Sequence, residues 1–160
     1  MRKVSIDAVD PEADEGVYTD RRSLTGPLNT DTVAVAQYRL DPGERFSGAV
    51  HAHADQEELF LVVSGTATFE TEEGTVTVDA GEAIRFAPGE FQSGLNASDD
   101  TVVAFAIGAP RDSDDVRVSR IPVLDDADVS CPDCGRDDMR LGDGDADLVC
   151  PDCDATASVP

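Results

Sequence analysis

Between Thr32 and Ile107 the chain is broken at short intervals by turn-forming residues, which leaves no stretch long enough for a convincing amphipathic helix. The breaks are Asp41-Pro42-Gly43, Ser64-Gly65, Glu73-Gly74, Ala80-Gly81 and Pro88-Gly89. Between them lie runs rich in Val, Ile, Phe and Thr: Thr32–Leu40, Phe46–His53, Glu58–Ser64, Ala67–Thr71, Thr75–Val78, Ala83–Phe86, Phe91–Gly94 and Val102–Ile107. Strands recurring at a spacing of about ten residues predict an all-β fold, a small antiparallel β-barrel or jelly roll. Residues 1–31 form an N-terminal extension with one expected edge strand, Val4–Val9, followed by a polar segment containing Gly26-Pro27. The run from Glu58 is apolar on both faces, with Phe60 and Val62 on one and Leu59, Leu61 and Val63 on the other. A strand of that kind needs a second layer or a partner subunit on its outer side.

Charge narrows the function. The 160 residues carry 34 acidic and 12 basic side chains, a formal net charge of −22; Asp accounts for 24 of the acids, and Lys3 is the single lysine. A basic nucleic-acid footprint is missing. Carboxylates spread over the whole chain with lysine almost absent predict a halophilic protein, whose surface stays hydrated where salt screens its self-repulsion. There is no apolar run of ~18 residues to cross a membrane. Met1 to Asp10 lack the apolar stretch of a secretory signal, so the expected location is cytoplasmic.

The only two histidines, His51 and His53, alternate along an expected strand, so both rings fall on one face. A turn then delivers Glu57 and Glu58. Two imidazoles and a carboxylate are a ligand set that divalent Fe, Mn, Ni, Cu or Zn accept while keeping positions open for water or substrate. The blander alternatives are a surface His-x-His, a solvated acidic run at Asp55-Gln-Glu-Glu58, or an unused pair inside a scaffold barrel. With both histidines in this pair, no Ser-His-Asp or Cys-His nucleophile arrangement can be assembled, and the glycines form no phosphate loop.

A second block, Gly81-Glu-Ala-Ile-Arg-Phe-Ala-Pro-Gly89-Glu-Phe-Gln92-Ser-Gly-Leu-Asn96, reads as a strand, a Pro-Gly turn and a return strand. Together the two blocks resemble the paired motifs of the cupin superfamily, over residues 32–108. In the first motif the match is His51, His53, Glu58 and Gly65; Glu57 satisfies the spacing to the histidines but not that to Gly65. In the second it is Gly81, Gly89 and Asn96. The chain departs from the pattern at Gly48, which sits too close to the histidines, at Ala87 and Pro88, where the proline is displaced by one, and at Gln92, which stands where the family has its third metal-binding histidine.

The resemblance implies a divalent metal (Fe, Mn, Ni or Zn) on His51, His53 and Glu58, with Gln92 either a weak fourth ligand or a hydrogen-bonding neighbour of a metal-bound water. It also implies a small-molecule ligand, a homodimer, and dioxygenase, isomerase or decarboxylase chemistry; the segment Val62-Val-Ser-Gly-Thr-Ala67 is similar to the sugar-phosphate isomerase branch. Arg85, with Ala83 and Ala87 on its side of a strand, is a candidate for holding an anionic substrate group, against the plainer reading of a surface arginine. Gln37, which shares a face with Arg39, is a candidate for the barrel mouth. Tyr38 reads as core or interface.

All four cysteines fall at the end of the chain, in Cys131-Pro-Asp-Cys134 and Cys150-Pro-Asp-Cys153, with Gly135, Gly142 and Gly144 between the pairs. In a reducing compartment such pairs favour metal over disulfides. Four thiolates on two facing turns close a tetrahedral site, and zinc binding then organises a segment too polar to fold on a core of its own. The pattern resembles a zinc ribbon, expected over 128–160 after an acidic linker at 109–127; a redox dithiol and an iron centre are the alternatives. From Asp125 onward eleven aspartates face two arginines, a local charge of −9. That balance repels phosphates and favours contact with a protein partner, or a folding role, over nucleic acid. Two readings follow: a mononuclear metalloenzyme of haloarchaeal type, or a ligand-binding or regulatory module whose ribbon mediates protein-protein contact.

Overall fold

The computed structural model describes residues 1–142, 144 and 146–159, so the ribbon's Asp143, Asp145 and Pro160 lie outside the described residues. In chain order come β1 (Glu12–Asp14), β2 (Tyr18–Ser23), a single helical turn α1 (Thr25–Leu28), β3 (Ala34–Leu40), β4 (Val50–His53), β5 (Glu57–Ser64) and β6 (Thr66–Thr71). They are followed by β7 (Gly74–Asp79), β8 (Ala83–Phe86), β9 (Gln92–Leu95), β10 (Val102–Ala109), β11 (Val116–Ile121), β12 (Ala127–Asp128), β13 (Met139–Leu141), β14 (Leu148–Val149) and β15 (Thr156–Ala157). Each expected run becomes a strand. The run Phe46–His53, however, is a strand only from Val50; Phe46 is buried in the core and keeps one bond to β9, its N–H donating to the Gly94 carbonyl at 3.0 Å.

The strands form two sheets, β1-β2-β3-β10-β5-β8 and β15-β14-β13-β11-β4-β9-β6-β7, with β12 beside β11. All pairings are antiparallel, as the short punctuated runs require. The core lies between the sheets. Tyr38, Leu40, Phe60, Val62 and Val102 from the first meet Ala67, Phe69 and Val78 from the second. Phe69 is fully buried, with ring centroids of Phe46, Phe60 and Phe86 at 5.5, 4.9 and 5.6 Å. Gly94 makes that cluster possible, since a Cβ there would stand 2.5 Å from Phe69 and 2.6 Å from Phe46.

Two expectations about the flanks are corrected. Val4–Val9 is not an edge strand: Ile6–Ala8 is a 3-10 turn, and β1 and β2 supply the sheet edge instead. The stretch 109–127 is not a plain linker, because Val116-Arg-Val-Ser-Arg-Ile121 forms β11, with Val118 and Ile121 buried and a register shift between Val118 and Arg120. This strand pairs with β4 on one side and β13 on the other. Val118 is the cross-strand partner of both His51 and Met139. A second core of Val118, Ile121, Val129, Cys131, Met139, Leu148 and Cys150 therefore joins the cysteine module to the barrel sheet.

Among the described residues no helix is long and apolar enough to cross a membrane.

Candidate metal centre and its cavity

β4 places His51 and His53 on one side of the strand with the small Ala52, 2% exposed, packed on the other. Pairing of His51 with Gln92 across β4 and β9 brings the amide into the same space. β5 then contributes Glu58, in phase with the inward Phe60 and Val62. Gly89, at the Pro-Gly turn, takes φ 86° and donates its N–H to the carbonyl of His53 at 2.9 Å, which fixes the end of β4.

One ligand atom each from His51, His53 and Glu58 lies within 4.8 Å of the others. The His51 and His53 ring centroids are 5.2 Å apart, nearly perpendicular, and His53 Nε2 is 3.8 Å from Glu58 Oε2. His51 Nδ1 lies 3.2 Å from the carbonyl of Ala49, which accepts a hydrogen bond from that nitrogen and so leaves the ring's lone pair on Nε2. Gln92 Nε2 donates to Glu58 Oε2 at 3.1 Å and stands 3.5 Å from His51 Nε2.

Burial sets the electrostatics. It pushes the Glu58 carboxyl up to about 7, opposed only by the hydrogen bond from Gln92. It also pushes His51 down to about 4, and His53 below its ordinary value. Both imidazoles are therefore neutral at pH 7, as a metal ligand must be. His53 Nδ1 and Gln92 Oε1 are buried without a partner among the described residues. A buried carboxylate lacking a counter-charge and two neutral imidazoles fit a divalent cation, which would supply the missing positive charge, while Gln92 turns its amide nitrogen to Glu58 and His51.

The cluster opens onto a cavity of about 560 Å³ bordered by Arg21, Tyr38, Phe60, Arg111 and Val116, among others. Two sequence candidates lie elsewhere. Arg85 is on the outer face, 55% exposed and ion-paired with Glu57, because β8 turns Phe86 inward and so sends Arg85 out. Gln37 faces away from the cavity, since the inward set of β3 is Ala36, Tyr38 and Leu40. Their phases depended on which neighbouring residues the partner strands buried.

The residues that replace them come from segments with weak signals. Arg21 lies in the polar N-terminal stretch. Gln56, 6% exposed, donates to the carbonyl of Pro110 at 2.6 Å and so anchors the segment leading to Arg111. Tyr38 is inward, as expected of a core residue, and also borders the cavity. Asn96 serves the fold rather than the site. It is fully buried and donates to the carbonyls of Leu40 and Asp100 at 2.9 and 2.8 Å.

At the other end of the second sheet the four cysteines converge. Cys131 Sγ and Cys153 Sγ are 3.5 Å apart, Cys134 Sγ and Cys150 Sγ 3.6 Å, and all four sulfurs lie within 4.8 Å of one another. These separations are far longer than a disulfide and close to the ~3.8 Å tetrahedral edge implied by Zn–S bonds of ~2.3 Å. The backbone N–H of Cys134 is the main influence holding the Cys131 thiol down at about 6, while the neighbouring sulfurs push the Cys134 and Cys153 thiols up.

Residues 36–108 match the cupin domain family. The barrel has the jelly-roll fold of cupins. Among solved structures the chain is similar to a candidate sugar phosphate isomerase from Acidithiobacillus ferrooxidans, at 19% identity over 89% of this chain and 85% of that one, with a TM-score of 0.65. It is also similar to the polyketide cyclase RemF from Streptomyces resistomycificus, at 22% identity over 74% and 84%, with a TM-score of 0.62. A third, a sugar phosphate isomerase of the cupin superfamily from Silicibacter pomeroyi, shares 19% identity over 72% and 85%, with a TM-score of 0.58. At these identities the likeness speaks for the cupin fold. No curated protein matches the chain significantly.

Proposed function

We propose that this cupin protein is a mononuclear metalloenzyme acting on a small polar molecule, with a divalent metal held by His51, His53 and Glu58 and a structural zinc held by Cys131, Cys134, Cys150 and Cys153. The observation that carries the reading is the convergence of two neutral imidazoles and one buried, otherwise uncompensated carboxyl at the floor of a cavity large enough for a small ligand. When bound, the metal supplies Lewis acidity, polarising a substrate oxygen that reaches the open side of the cluster. Gln92 holds the Glu58 carboxylate in place, Phe60 limits water on the cavity wall, and the Ala49 carbonyl keeps His51 in the tautomer that presents Nε2. Isomerase chemistry is favoured over oxygenase chemistry by the names of two of the structural neighbours, which are called sugar phosphate isomerases.

A second copy of the chain is proposed to cover the outer face of β5, where Leu61 and Val63 are 41% and 53% exposed. The acidic composition supports a salt-rich cytoplasm as the setting.

Elemental analysis of protein purified in molar KCl tests the reading. Wild type should carry two metals per chain, His51→Ala only the cysteine-bound zinc, and Cys131→Ser only the barrel metal. Wild type that holds zinc alone, even after exposure to Fe(II), Mn(II) or Ni(II), would leave a binding module in place of an enzyme.

A further inference from the structure

The cavity has a second polar wall that the metal reading does not use. Arg21, on β2, borders the same space as the histidines and Glu58. Its Nε donates to Tyr38 Oη at 3.0 Å, and its Cζ lies 5.7 Å from the centroid of the Tyr38 ring. The tyrosine is fixed in turn, with Tyr18 and Phe46 packed edge-on at centroid distances of 5.4 and 5.1 Å. Burial pushes the Tyr38 hydroxyl up to about 12, so it keeps its proton, and no described residue accepts that proton.

Arg21 and Tyr38 thus offer a planar cationic fork and a neutral O–H side by side. The only carboxylate bonded to Arg21 among the described residues is Glu12, 52% exposed at the sheet edge, and an ion pair so placed is weak. Asp14 also borders the cavity, as does Arg111, which is tied to the exposed Asp112. Donors without a fixed buried acceptor suit a ligand that brings its own acceptors and negative charge.

We propose that Arg21 and Tyr38 form an oxyanion-recognition site, and that the molecule this cavity takes presents a carboxylate or phosphate to them while another part of it reaches the His51–His53–Glu58 cluster. The second half of this assignment rests on the metal reading; the anion site itself stands on β2 and β3 alone. Glu12 is the counter-ion the ligand displaces.

The test follows the arginine Nε–Hε resonances of full-length protein in molar KCl, titrated with malonate, with inorganic phosphate and with the neutral malonamide. Malonate or phosphate should shift the Arg21 signal saturably and malonamide should not; whichever anion saturates at the lower concentration identifies the carboxylate or the phosphate as the group recognised. Arg21→Gln, followed through the Arg111 signal and by calorimetry, should weaken the anion at least tenfold. Tyr38→Phe, which preserves the packed ring, should weaken it severalfold, and Glu12→Gln should tighten it. An equal response to malonamide, or wild-type affinity in both Arg21→Gln and Tyr38→Phe, would overturn the assignment. His51→Ala, expected to lose the barrel metal, should still saturate at Arg21, which shows that the anion site stands without the metal. Saturation at Arg21 in wild-type protein that takes up no barrel metal, even after exposure to Fe(II), Mn(II) or Ni(II), keeps the anion site and removes the metal reading. Metal uptake without any saturable response does the reverse.

Discussion

The carbonyl oxygen of Ala49 lies 3.2 Å from Nδ1 of His51, and that single contact determines which ring nitrogen is available to a cation. The carbonyl can only accept, so Nδ1 carries the proton and Nε2 offers its lone pair. The ligand is oriented by the strand that bears it, two residues along.

Proton release should accompany metal uptake. In the metal-free protein Glu58 titrates at about 7, whereas His51, at about 4, is already neutral over the relevant range. A cation therefore displaces close to one proton at pH 6 and almost none at pH 8. Apparent affinity should rise about tenfold per pH unit below 7 and flatten above it. Calorimetric titration with Mn(II) in buffers of different ionisation enthalpy reads both quantities; an affinity independent of pH between 5.5 and 7 would remove Glu58 from the ligand set.

Glu58→Gln should stabilise the metal-free protein at high pH. The folded-state pKa is raised from 4.5 to about 7, so burial costs nothing while the carboxyl is protonated in both states, below about pH 4.5. The cost grows as pH rises and is complete above about 7, where a shift of that size is worth about 3 kcal/mol. Melting temperatures should therefore diverge in favour of the variant at pH 8 and converge near pH 4.

Phe69→Ala should be among the most damaging single changes in the barrel. The ring is fully buried and touches three other phenylalanines, so its loss should cost about 3–5 kcal/mol in denaturant unfolding. A loss under ~1 kcal/mol would mean that the cluster collapses around the void.

Cys131→Ser should loosen more than the cysteine turns. Cys131 and Cys150 are part of the core that packs Met139 and Leu148 beside Val118. Hydrogen exchange should accelerate throughout β13–β15 and also along β11, while β6 and β7 keep wild-type protection. Unchanged protection on β11 would show that the two cores open independently.

Salt should act on the whole chain. With a net charge of −22, raising KCl from 0.1 to 2 M should increase the thermal midpoint, because screening relieves repulsion that the folded state concentrates. A midpoint that falls with KCl would contradict salt adaptation.

The barrel was legible in the sequence because its signals were local. Ala83–Phe86 forms a strand over the same residues, and Glu58–Ser64 gains only Glu57, since turn residues mark their ends sharply. The choice of Glu58 over Glu57 was legible from motif spacing, and the structure puts the one toward the cavity and the other outside with Arg85. What escaped depended on neighbours distant in sequence. Val116–Ile121 lacks a clean alternation, since Ser119 and Arg120 are both polar, and its place is settled by the pairing of Val118 with His51 and Met139 rather than by its own residues. Arg85 and Gln37 failed for a related reason: period two gives two faces, but only packing says which one is inside.

The seam at β11 bears on where this protein can be cut. The family match stops at residue 108, a natural place to trim an expression clone. Yet Arg111 and Val116 beyond that point border the cavity, and β11 is one of the two ladder neighbours of the histidine strand. A clone ending there would lose a wall of the chamber along with the tail, so the shortest piece worth assaying runs through the last cysteine turn.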